Sequence, residues 1–121
     1  MTSPPAGRRG RFITIEGGEG AGKSTQLGLL ADRLKGQGLE VVLTREPGGT
    51  VGAEAIRELI VHGPPERWRP LSELFLFLAA RDDHLHRAIR PALAHGAWVV
   101  CDRFADSSRV YQGYAGELGI E

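Results

Sequence analysis

With 121 residues, 15 basic and 15 acidic side chains, the chain has a formal net charge of zero and length for at most one domain, which would bury about two-thirds of its unfolded surface. A balanced charge leaves no electrostatic footprint for nucleic acid or an anionic membrane, so any anion binding must be local. One cysteine excludes an internal disulfide; with the longest apolar stretch only Leu74 to Ala80, and no apolar signal-peptide core at the N-terminus, the expectation is a soluble cytoplasmic protein with no nucleic-acid or membrane partner.

Residues 1–10 show no periodicity and read as a flexible tail. The β-branched run Phe12-Ile13-Thr14-Ile15 predicts a first strand, and Gly17-Gly18-Glu19-Gly20-Ala21-Gly22-Lys23-Ser24 follows it directly. The spacing Gly17-x4-Gly22-Lys23-Ser24 between a strand and a helix suits a phosphate-binding loop: glycines allow close backbone approach, and successive N–H groups turn inward on phosphate oxygens. Lys23 is expected to reach the β- and γ-phosphates. Ser24 begins the helix and can ligate Mg²⁺, with the positive helix end facing the phosphates. The plain alternative is a glycine-rich turn without a ligand.

The first helix is predicted from Lys23 to Lys35, with Leu27, Leu30 and Leu34 on one face and Gly36 and Gly38 as its stop. Leu39 to Thr44 forms a second strand. Arg45-Glu46-Pro47-Gly48-Gly49-Thr50 reads as a loop at that strand's carboxyl end, because proline lacks a donor and paired glycines loosen the chain. A second helix, Ala53 to Val61, is expected to bury Ile56, Leu59 and Ile60, and Gly63-Pro64-Pro65 ends it. A long helical segment, Leu71 to His95, carries Leu74, Phe77, Leu78, Arg81 and Leu85 at three-and-four spacing, and Pro91 should kink or divide it. Ala97 to Cys101 is apolar throughout, as a parallel strand covered on both faces should be, and it ends in Asp102-Arg103. Alternating strands and helices predict a parallel α/β sheet that binds ligands beyond the carboxyl ends of its strands.

Several side chains can carry chemistry there. Asp102 sits where a carboxylate holds a Mg²⁺ water shell, or alternatively caps a following helix. Arg103 offers a planar fork for phosphate, or a surface partner for Asp102. Phe77 and Arg81, four apart on a helix, combine an aromatic face with a guanidinium, which suits a base and its edge; alone, Phe77 reads as core. Ser107, Ser108, Tyr111 and Gln112 form a polar cluster that either reads a sugar or base or is an exposed helix start. Glu19, a carboxylate inside a phosphate loop, is unfavourable unless a cation or an acceptor hydroxyl is near. Cys101 reads as a buried thiol, and His62, His84, His86 and His95 as surface or capping residues.

Taken together, these residues resemble the N-terminal part of bacterial thymidylate kinase. The resemblance rests on Phe12-Ile13-Thr14-Ile15-Glu16-Gly17, Glu19-Gly20-Ala21-Gly22-Lys23-Ser24-Thr25, Thr44-Arg45-Glu46-Pro47-Gly48-Gly49-Thr50, Phe77-x-x-x-Arg81, Cys101-Asp102-Arg103-Phe104 and Asp106-Ser107-Ser108-x-x-Tyr111-Gln112-Gly113-Tyr114. It implies a P-loop nucleotide kinase fold, an α/β architecture truncated before its last strands and lid, and transfer of the ATP γ-phosphoryl group to dTMP with Mg²⁺. By resemblance, Gly17, Gly18, Glu19, Gly20, Ala21, Gly22, Lys23, Ser24 and Thr25 surround ATP, Ser24 and Asp102 serve the metal, and Lys23, Glu19 and Arg103 are catalytic. Arg45, Arg57, Phe77, Arg81, Arg103, Ser108, Tyr111 and Gln112 would hold dTMP: the arginines at 45 and 103 on its phosphate, Phe77 on thymine and Arg81 at the base edge. A homodimer built on helices of this half is also implied, the Leu74 to Leu85 helix being one candidate.

Family members with Gly or Ala where Gly20 and Ala21 stand carry their catalytic arginines in a lid, which falls beyond Glu121, so the 121 residues alone are expected to be inactive. Tyr114-Ala115-Gly116-Glu117 also lacks an arginine that many bacterial members place there. The competing readings are a deoxynucleoside kinase, disfavoured by two arginines suited to a phosphorylated acceptor, and a non-catalytic nucleotide-binding module. The family's strand order, 2-3-1-4-5, would leave strand 1 an open edge in this piece. Poor solubility or incomplete folding of the isolated residues 1–121 is therefore expected, and a cooperative thermal transition from a monodisperse monomer would contradict it.

Overall fold

The apolar run Trp98-Val99-Val100-Cys101 is satisfied on both faces only as an inner parallel strand, and the sheet is built on it. The structure is a computed structural model that describes residues 10–17, 21–64 and 66–104. Its strands are β1, Phe12–Gly17; β2, Val41–Glu46; and β3, Trp98–Phe104. They form a parallel sheet in the order β1-β3-β2, so β1 pairs only with β3 among the described strands, matching the first three strands of the expected order. Val99, Val100 and Cys101 are fully buried.

Helix α1, Ala21–Gly36, covers one face of this sheet. Its Leu27 and Leu34 pack on Val100, with Ile13, Ile15, Leu30, Val41 and Trp98 around them. Side chains alternate across a strand, so the residues between these, among them Thr44, Glu46, Cys101 and Arg103, belong to the opposite face. There α3, Pro70–His84, brings Arg81 and His84 against β2. Pro91 supplies no N–H to the preceding turn, and the helix widens just before it: Leu85–Ile89 is a π-helical turn closed by Arg90 N–H on the Leu85 carbonyl, after which α4 runs Arg90–Ala94. The long helical segment is thus divided, as the proline requires.

Several expected boundaries shift for one reason, which is strand pairing. Arg45 and Glu46 continue β2 because Asp102 and Arg103 continue β3 beside them, and pairing stops where Pro47 removes the donor. Helix α2, Val51–Val61, starts earlier than expected because Thr50 caps it, accepting Ala53 N–H at 3.1 Å. Its buried side chains are Ala53 and Arg57, whereas Leu59 is 43% exposed, contrary to the expected face. On α3 the buried stripe is Glu73, Leu74, Phe77, Ala80 and His84, with Leu78 facing outward.

The packing of α1 predicts a sharp contrast along one helix. Leu34 is 7% exposed and Leu29 64%, so Leu34→Ala should cost about 2–4 kcal/mol in urea unfolding and Leu29→Ala less than about 0.5. Equal losses would contradict the assigned face.

Candidate functional site

At the carboxyl edge of the sheet, adjacent strand positions send opposite charges to opposite sides. Asp102 points toward α1 and meets Lys23 Nζ at 2.7 Å. Lys23 and Ser24 lie in the first turn of α1, which holds no acidic side chain, so no carboxylate within that turn offsets the positive end of the helix. Asp102 lies within β3, which excludes the capping alternative. A cleft of about 550 Å³ beside these groups is bordered by Ser24, Leu27, Leu43, Arg45, Glu54 and Asp102.

Arg45, paired in register with Asp102, is a strand residue and not the loop residue expected. Its fork is held by Glu54 of α2, with Nη2 to Oε1 at 2.5 Å and Nε to Oε2 at 3.3 Å. Glu54 also accepts the Gly49 N–H at 2.8 Å, tying the turn after β2 to α2. The Arg45 hydrogen bond is the main cause that lowers the Glu54 carboxyl from 4.5 to about 2, and in return the Arg45 guanidinium is pushed up. Arg57, expected beside an acceptor, is buried and donates to the Pro47 carbonyl at 2.9 Å; it braces the turn that follows a cis Glu46–Pro47 peptide.

On the other face Arg103 turns away from Asp102, so the alternative of an Asp102–Arg103 surface pair gives way to contacts with Glu16 at 3.4 Å and Glu46 at 3.6 Å. Glu46, 6% exposed, also receives Arg81 Nε at 2.7 Å and lies 3.4 Å from His84 Nδ1. Burial alone would raise the Glu46 carboxyl; the His84 hydrogen bond, Arg81 and Arg103 together overcome it and hold the group below its ordinary range. A carboxylate only accepts, so His84 gives it the Nδ1 proton, leaving Nε2 for the Thr44 hydroxyl at 2.7 Å.

His84 is the clearest correction to the sequence reading. It is completely buried, not a surface or capping residue, because it falls three positions after Arg81 and seven after Phe77 on the inward stripe of α3. Gly49 has to be glycine beside it: at φ +95° an added Cβ would lie 2.3 Å from the imidazole. The paired glycines of this turn therefore permit a close approach; they do not merely loosen the chain. Phe77, 3% exposed, packs with Leu74, Ile60 and Leu71, which agrees with the core reading of its ring.

Donor atoms of Glu46, His84 and Cys101 lie within 4.8 Å of one another. Burial, and next the Glu46 charge, push the Cys101 thiol up to about 12. With the thiol protonated and the carboxylate engaged by arginines, this cluster has the chemistry of a hydrogen-bond network. Glu46 and His84 were the residues missed from sequence. The helical spacing of His84 from Phe77 and Arg81 was the available signal; for Glu46 it was the strand alternation with Thr44. The expected Gly18, Glu19, Gly20, Ser107, Ser108, Tyr111 and Gln112 lie outside the described residues.

Comparison with known proteins gives this geometry a context. A family model described as thymidylate kinase matches residues 15–121. Proteins named thymidylate kinase from Caulobacter vibrioides and Rhizorhabdus wittichii are 63% identical over 109 residues and 62% over 112, covering 90% and 93% of this chain but 52% and 54% of their own lengths. The crystal structure of thymidylate kinase from Ehrlichia chaffeensis superposes with a TM-score of 0.72 at 44% identity, covering 89% of this chain and 61% of that one. The chain thus spans about half the length of the curated relatives it matches.

Because Glu54 titrates near 2 and not near 4.5, its pairing with Arg45 stabilises the fold fully above about pH 4.5 and is lost as the pH falls toward 2. Both side chains are about half exposed, which limits the effect to at most about 1 kcal/mol. Glu54→Gln is expected to flatten the acid limb of stability against pH in urea titrations. An unchanged acid limb would contradict the pairing.

Proposed function

The chain belongs to the thymidylate kinase family, and from that premise we propose that the protein carrying it transfers the ATP γ-phosphoryl group to dTMP, giving dTDP and ADP in dTTP synthesis. The observation that carries this reading is the clustering of Lys23, Arg45, Arg81 and Arg103 at the carboxyl edge of one parallel sheet, where each is partnered by a carboxylate. Phosphoryl transfer needs positioning and charge neutralisation more than a protein nucleophile. An oxygen of the dTMP phosphate forms the new bond to Pγ as the bond from Pγ to the β,γ-bridging oxygen breaks, and the leaving electron pair stays on ADP. At neutral pH that attacking phosphate is already largely ionised, so the reading requires no side-chain base to deprotonate it.

Within this scheme Lys23 and the first-turn N–H groups of α1 hold the donor phosphates. Arg45 and Arg103 hold the acceptor phosphate against the donor's charge, and Arg81 reads the base edge. Engaging Arg45 requires the acceptor phosphate to replace or share the Glu54 carboxylate, itself a bidentate anion. Ser24 and Asp102 border the same cleft and supply hard oxygen donors, a set that fits Mg²⁺ shared with phosphates and water. The bound ion would neutralise charge on those phosphates. The reading extends to a cytoplasmic homodimer, for which α3 exposes Phe75, at 62%, and Leu78, at 39%. Among the described residues no helix is long and apolar enough to cross a membrane.

The test is ADP formation by the full reading frame that contains this chain, with ATP·Mg²⁺ and dTMP, thymidine or no acceptor. Turnover with dTMP is expected, and turnover with thymidine but not dTMP would overturn the reading. Arg81→Ala should raise the KM for dTMP at least about tenfold while leaving that for ATP nearly unchanged; equal losses would assign Arg81 to the scaffold.

A further inference from the structure

Register places Glu16, Arg103 and Glu46 side by side on β1, β3 and β2, a row of alternating charge across the sheet. Only the β2 member is buried: the Glu46 side chain is 7% exposed and that of Glu16 56%. One oxygen of Glu46, Oε1, contacts both Arg81 Nε, at 2.7 Å, and Arg103 Nη2, at 3.6 Å. The Arg81 contact is made through Nε, at the root of the guanidinium, so it sets the plane of the fork where the group leaves its stem. The other oxygen, Oε2, faces His84, which is itself held by the Thr44 hydroxyl and closed in by Gly49. The carboxylate thus has little freedom to turn, and two arginines from different elements share one of its oxygens.

We propose that Glu46 is a positioning residue for the acceptor site: it fixes the separation and orientation of the Arg81 and Arg103 forks, and so selects an acceptor whose base edge and phosphate stand at that separation. This inference rests on the reading of Arg81 and Arg103 as acceptor-binding groups. Lys23 has its own partner in Asp102, so the donor side is organised independently of Glu46, and the acceptor arginine Arg45 is held separately by Glu54.

The test is steady-state kinetics of the full reading frame. Glu46→Gln keeps the shape but removes the charge and turns an amide toward cationic groups; it should raise the KM for dTMP at least about tenfold while the KM for ATP stays within about twofold. Glu46→Asp, which keeps the charge on a shorter stem, should recover part of the loss. Combined with Arg103→Ala, Glu46→Gln should cost less than it does in the wild type, since only its hold on Arg81 remains to be lost. Equal losses for both substrates, or a double variant whose loss is the product of the two single losses, would overturn the inference. If Glu46→Gln fails to fold, Glu46→Asp is carried through the same substrate ratio and the same cycle. If the wild type turns over another nucleoside monophosphate but not dTMP, the assigned acceptor is wrong, and the ratio measured on that monophosphate still decides the role of Glu46.

Discussion

A carboxylate that is nine-tenths buried is tolerated only if other charges and donors replace its water, since an unpaired buried ion costs several kcal/mol. Glu46 meets that condition with two guanidiniums and an imidazole drawn from two elements, Arg81 and His84 from α3 and Arg103 from β3. Much of the local structure follows from this one group. His84 must be buried to reach it, Thr44 must face the same way to hold His84, and Gly49 must lack a side chain to let the ring in. Removing a single partner would leave the others without charge balance, so the cluster is expected to behave as a unit.

Strand alternation then separates the charges of the site. Asp102 and Arg103 are neighbours in sequence but serve different faces, Asp102 with Lys23 on the side of α1 and Arg103 with Glu46 on the side of α3. Under the proposed reading, Lys23 and Arg103, assigned to different substrates, are partnered on opposite faces of one sheet edge. Two turns complete the arrangement: Thr50 caps α2 and donates to Asp83 of α3, and Glu54 ties the Gly49 amide to Arg45. Both link the end of β2 to the helices that carry the remaining site residues.

What could be read directly from the sequence was what depends on local pattern. The buried character of residues 99–101 and the break before Pro91 follow from composition and spacing, and the order of the first three strands follows from the family resemblance; these stand. Long-range pairing was less legible. Whether Arg45 and Glu46 lie in a loop or a strand is decided by Asp102 and Arg103, more than fifty positions away, which extend the ladder beside them. His84 carried the pattern of a buried residue, but a histidine on an inward stripe is satisfied only by acceptors and donors from β2, which no local window contains. Phe77 shows the converse: a side chain assigned to a ligand by resemblance lies in a core cluster.

The account depends on Glu46 being ionised at the centre of its arginines. Its most direct measurement is the titration of the Glu46 side-chain carboxyl carbon by ¹³C NMR, assigned through Glu46→Gln. A midpoint below the ordinary value of 4.5 is predicted, because the paired cations outweigh the burial. A midpoint above that value would mean that burial outweighs the paired cations, and would contradict the account.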